Sequence, residues 1–170
     1  MKRSVFLCLV LLPFVVMNAL AQKVVVDWDH DADFSKYKSY AWMESKNPGS
    51  DLAAKRMITA IESQLAVKGL QKTHRGDADL EIVYNVGAKE RMSVQGYDYG
   101  YGRYRWGGGT VRYDTTTYTE ASVVVDLVDA KSHNLVWRGT ASDTVSDKPE
   151  KNEKKIQSAA EKMFKKYPPK

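Results

Sequence analysis

"DLEIVYNVGAKERMSV", residues 79–94, decides the fold class, because it reads with a period of two. Leu80, Ile82, Tyr84 and Val86 share one face while Asp79, Glu81 and Asn85 share the other, the alternation of a half-buried strand. The pattern runs on through Ala88, Glu90, Met92 and Val94, with Gly87 expected as a bulge or bend. The same signal returns downstream, where Thr119, Ala121, Val123, Val125 and Leu127 lie on one face. Asp129 to Asn134 is rich in turn formers and Leu135-Val136-Trp137-Arg138 opens a return strand, so this pair predicts a hairpin.

On either side of these strands the period becomes helical. Ser50 stands where a cap belongs, and Ala54, Met57, Ile58, Ile61 and Leu65 recur at the spacing of one buried stripe that Gly69 ends. A second stripe, Ile156, Ala159, Ala160, Met163, Phe164 and Tyr167, follows Pro149 and stops at Pro168-Pro169. Glutamates alternate with the C-terminal lysines on the same period, which reads as a solvated helix surface and not as a basic binding patch. Near the N-terminus, Lys23 to Val26 reads as a strand buried early in a sheet, and Tyr37 to Trp42 as another short strand. Long strands joined by hairpins, with helices outside them, predict an α+β fold. Its sheet is antiparallel-dominated, of about four or five strands, with two helices on one face.

Residues 1–21 are read separately. Lys2 and Arg3 precede an apolar run interrupted only by Pro13, and Ala19-Leu20-Ala21 supplies the small-residue cleavage pattern, so the segment is read as a cleaved secretory signal peptide. Residues 22–170 are then a single exported domain, periplasmic or associated with the outer envelope, with no transmembrane segment. Cys8, the only cysteine, leaves with the leader, which removes disulfides, thiolate nucleophiles and cysteine metal ligands from the expectation. Cys8 also lies too early to be a lipid-modified cysteine at the cleavage point, so the reading is a soluble protein and not a lipid-anchored one. Loss of Lys2 and Arg3 lowers the formal charge of +5 by two, a mild bias spread along the chain.

Several segments, taken together, resemble a known family. They are Asp27-Trp28-Asp29, the run Asp33 to Trp42, Ala66-Val67-Lys68-Gly69-Leu70, Asp129-Ala130 and Leu135-Val136-Trp137-Arg138-Gly139. They are similar to those of the bacterial envelope family called domain of unknown function 4136, over essentially the whole chain after the leader. The resemblance implies an exported, often lipoprotein-like α+β domain with no assigned activity and no cofactor. It supplies no functional residues to carry over.

Candidate chemistry concentrates in two stretches. "GYDYGYGRYRWGGGT", residues 96–110, falls between the strands of residues 79–95 and 116–128, where a hairpin tip belongs. Tyrosines among glycines give contact area at low entropic cost. Tyr97, Tyr99, Tyr101, Tyr104 and Trp106 are therefore the candidate ligand-binding residues, for an envelope protein or a glycan. Nucleic acid, which Arg103 and Arg105 would otherwise invite, is set aside because export removes the chain from it. The acidic segment 27–33 offers Asp27, Asp29 and Asp31 as a weak divalent-metal site and underlies the alternative of a metal- or glycan-dependent activity. Ala32 and Lys38, however, stand where a calcium loop needs glycine and glutamate. His30, His74 and His133 are scattered, and neither an HExxH nor a Gly-x-Ser-x-Gly pattern occurs. Arg75-Gly76-Asp77 reads as ordinary turn residues. The expectation is a non-enzymatic binding or structural component of the cell envelope.

Overall fold

The computed structural model describes residues 22–98 and 111–169. The expected leader, residues 1–21, lies outside them. Six strands form one sheet: β1 (Lys23–Trp28), β2 (Ser39–Trp42), β3 (Gln71–Lys72), β4 (Leu80–Asp98), β5 (Val111–Asp129) and β6 (Leu135–Thr144). Their order across the sheet is β1-β6-β5-β4-β2-β3. Helix α1 (Asp51–Val67) lies between β2 and β3 in the chain, and α2 (Pro149–Phe164) follows β6.

The sheet is antiparallel from β1 to β4 and parallel among β4, β2 and β3. The expected count of four or five strands is therefore too low. The strand missed is β3, two residues held by Gln71 N–H to Lys38 O and Thr73 N–H to Tyr40 O, too short to leave a period in the sequence. The parallel pairs follow from α1, which carries the chain from β2 back to the same end of the sheet. Hairpins alone do not account for this topology. Gly87 is no bulge either: β4 and β5 stay in register across the Gly87–Ser122 pair, and the register shift lies in the β5–β6 pairing, between Leu127 and Val128. β1 is an edge strand with Val25 half-exposed, since a short β-branched run does not reveal whether a second neighbour lies beside it.

The core is a set of rows crossing the strands. Ile82, Leu127, Trp137 and Trp28 make one; Tyr84, Val125, Gly139 and Val26 the next; Val86, Val123, Ala141 and Val24 a third. Both helices cover this face through Met57, Ile61 and Leu65 of α1 and Ala160, Met163 and Phe164 of α2, all within one cluster. Both helical stripes read from the sequence are the stripes that bury. Gly69 ends α1 at a φ of +81°, the left-handed conformation for which glycine is suited.

Gly139 explains why tryptophan and glycine occur together in "VWRG". The Trp137 ring folds along its own strand over Gly139, so that a Cβ there would sit 2.5 Å from Cη2 of the indole and 3.0 Å from the Met163 sulfur. Phe164 stacks on the indole, with ring centroids 5.0 Å apart. The absence of a side chain at residue 139 is what admits the largest buried ring of the core.

Candidate functional site

β4 and β5 are each 19 residues long, far longer than their neighbours. β2 pairs with β4 only from Leu80 to Ile82, and β6 pairs with β5 only as far as Glu120. Beyond these limits the two strands continue together, from Lys89↔Glu120 to Asp98↔Val111, as a two-stranded arm roughly 30 Å long. Residues 99–110 connect its ends. Of the candidate binding residues, Tyr97 lies on the arm opposite Arg112, whereas Tyr99, Tyr101, Tyr104 and Trp106 lie outside the described residues.

The arm has two chemically distinct faces. Ala88, Glu90, Met92 and Val94, with Ala121, Thr119, Thr117 and Thr115 opposite, continue the helix-covered face of the sheet. No helix covers the outer part of this face: Met92 is 69% and Val94 57% exposed. The other face carries Lys89, Arg91 and Glu120, and Arg91 donates to Glu120 at 2.9 Å.

Where the helical cover stops, an apolar cleft of about 440 Å³ opens at the root of the arm. Both helices begin here and run side by side in the same direction, tied by Arg56 to Glu153 at 3.4 Å. Val86, Val123 and Ala141 line its floor, and Leu52 and Val145 stand exposed at its rim. The Val145 N–H donates to Thr119 O at 2.8 Å, which joins this rim to the arm. The sequence reading missed the cleft, because its lining comes from α1, α2 and three strands. The one signal was Leu52, an apolar residue off the buried stripe of α1.

The acidic segment is engaged in local structure. Asp29 Oδ1 accepts the Asp31 N–H at 2.9 Å, and Asp33 Oδ1 accepts the Ser35 N–H and hydroxyl at 3.0 and 2.6 Å, capping a short 3-10 turn. Asp27 and Asp29 border a smaller recess of about 230 Å³ beside Leu135 and Arg138. Asp126 clamps Arg138 from the neighbouring strand with two bonds of 2.6 and 2.7 Å. Asp31 does not line this recess, and among the described residues no three His, Cys, Asp or Glu side chains group as metal ligands do.

The buried charges lie at the end of the sheet away from the arm. Asp129 Oδ1 accepts the N–H groups of Lys131 and Ser132, each at 2.9 Å, and Oδ2 accepts the Tyr37 hydroxyl and pairs with Lys36, also at 2.9 Å. The Ser132 N–H foremost, and then Lys36, hold its carboxyl well below the usual carboxylate range. Glu81 is paired with Arg75 at 2.7 Å, which is the part that Arg75-Gly76-Asp77 plays. Burial first, then the charge of Glu62, pushes the Tyr40 hydroxyl up to about 12. These groups fasten the turn of residues 129–134 and the parallel edge to the body.

A mostly antiparallel six-stranded sheet with two helices on one face, and a bare extension of its two longest strands, defines an α+β protein. The chain belongs to the family described as Domain of unknown function (DUF4136), whose model matches residues 24–169. No curated protein matches it. A DUF4136 family protein from Bacteroides thetaiotaomicron has a similar fold, at 15% identity and a TM-score of 0.56, over 86% of this chain and 96% of that one. A PDZ domain protein from Parabacteroides distasonis is also similar, at 15% identity and a TM-score of 0.55; 88% of this chain spans 37% of that longer one. A PelC dodecamer from Paraburkholderia phytofirmans matches at 14% identity and a TM-score of 0.47, over 86% and 94% of the two chains. Among the described residues no helix is long and apolar enough to cross a membrane.

Proposed function

We propose that this protein is an exported, non-enzymatic component of the cell envelope that binds a partner protein or a glycan through its arm. The single observation that carries the reading is the bare inner face of the arm, where Met92 and Val94 continue a core face into solvent. A two-stranded ribbon buries too little to justify its own length in water, so its extension makes sense as a contact element. At its far end the sequence places Tyr97, Tyr99, Tyr101, Tyr104 and Trp106, side chains that present large surface with few rotors. Export rests on Met1 to Ala21, whose charged, apolar and small-residue regions follow the order of a cleaved leader.

The test is site-specific photocrosslinking in cells, with the crosslinker at position 103 or 105, between the aromatic residues, alongside fractionation of the envelope. The reading expects a chain that begins at Gln22 in the exported fraction and a discrete crosslinked partner. Replacing the five aromatic residues by serine should abolish that crosslink with the thermal midpoint unchanged. A chain retained in the cytosol with its leader, or crosslinks indifferent to the serine replacements, would overturn it.

A further inference from the structure

The cleft at the root of the arm has a chemistry of its own. Its lining is aliphatic: Ala53, Met57, Val86, Val123, Ala141 and Ile156 make most of the wall, and no aromatic ring borders it among the described residues. The larger polar side chains at the rim already have partners. Lys155 Nζ donates to Asp143 at 2.8 Å and to the Thr144 carbonyl at 2.5 Å, Asn152 exchanges two hydrogen bonds with the backbone of Ser146, and Arg56 faces Glu153. The floor thus offers contact without directional hydrogen bonding. A sugar would find no stacking ring there, and water over Val86, Val123 and Ala141 would lack the two to four polar neighbours that hold it in a cavity. Protein interiors rarely leave voids larger than a water molecule, whereas this volume falls in the range of small-molecule sites.

A flexible hydrocarbon is the ligand that such walls accept. We propose that the cleft receives the acyl chain of a single-chain amphiphile, with the chain along Val86, Val123 and Ala141 and the head group outside, between Leu52 and Val145. Both helices start at this mouth and neither has a side-chain cap on its first turn; their N–H groups, with Arg56 and Lys155 in the lining, favour an anionic head, against the opposing charges of Asp51 and Glu150 in the two first turns. A fatty acid carboxylate and a lysophospholipid phosphate share this chemistry. This site is separate from the partner contact proposed for the arm, and the failure of either leaves the other standing.

The full chain is titrated calorimetrically with saturated fatty acids from octanoate to palmitate, each below its micelle concentration, and in parallel with palmitoyl lysophosphatidylglycerol. Saturable one-to-one binding is expected, with affinity rising by up to about fourfold per added methylene until the cleft is full. Ala53→Trp and Ala121→Phe, which fill the cleft from the helix and from the sheet, should each weaken palmitate at least tenfold. Leu52→Ser with Val145→Ser alters only exposed rim positions and so keeps the test valid if a filled variant does not fold; it should weaken binding severalfold. Binding of the fatty acid alone identifies a free carboxylate head, and equal binding of both probes places the head in solvent. Absence of binding by either probe, affinity independent of chain length, or parental binding by folded variants of both kinds would overturn the assignment.

Discussion

From Leu80 to Val86 the inner face of β4 lies under two helices, and from Ala88 to Val94 the same face of the same strand is bare. Leu80 and Ile82 are fully buried; Met92 and Val94 are more than half exposed. The period of two persists through both halves, with Glu90 the one charged residue on that face. What changes is the cover, which is set by where α1 and α2 begin. A strand's period therefore reports which side chains share a face, whereas burial is decided by elements distant in the chain.

Substitutions along that face test the contrast most severely. Ile82→Ala leaves a void among fully packed neighbours and should cost about 2–5 kcal/mol of unfolding free energy in a denaturant titration, while Met92→Ala should stay within about 0.5 kcal/mol. Comparable losses at both positions would show that the arm is packed after all. Gly139→Ala drives a methyl group into the Trp137 indole and should cost about 1–3 kcal/mol. Trp137→Phe in that background should recover part of the loss, a coupling that a double-mutant cycle measures.

A third contrast sets the fastened end of the sheet against the arm. The folded-state pKa of Asp129 is depressed, so its contribution is present above the unfolded carboxylate value, near pH 4. It is lost as the pH falls through the lower folded value. Asp129→Asn should lower stability by about 1–3 kcal/mol at neutral pH and flatten the acid limb of the stability curve. A parallel acid limb in parent and variant would assign that slope to other carboxylates. Only a small change is expected from the largest deletion. Replacing residues 91–118 by Asn-Gly closes the Glu90↔Thr119 pair with a tight turn, and the thermal midpoint should move by only a few degrees.

Much of this architecture was legible in the residues. Both helical stripes, the long β4–β5 pair and the β5–β6 hairpin follow from periods of 3.6 and 2, because each element turns one apolar face to a single core. β3 was hidden because two residues carry no period, and the parallel pairing because it depends on where α1 returns the chain. Asp129 was visible as a turn former, but its hydroxyl donor Tyr37 stands 92 residues away. The cleft was invisible for a related reason: it is a gap among five elements, and the sequence describes matter. Of the aromatic candidates, Tyr97 falls on the arm.

The outer edge of β4 has one further consequence. On that side the body's last backbone hydrogen bond among the described residues runs from the Val86 N–H to Asn47 O. Immediately past it come Lys89, Glu90 and Arg91, three charged residues in succession. An open rim of amides and carbonyls is a template on which further chains can stack, and a charged gate at its threshold makes such stacking unfavourable. Edge-to-edge pairing along the outer side of β4 is thereby discouraged where the arm begins.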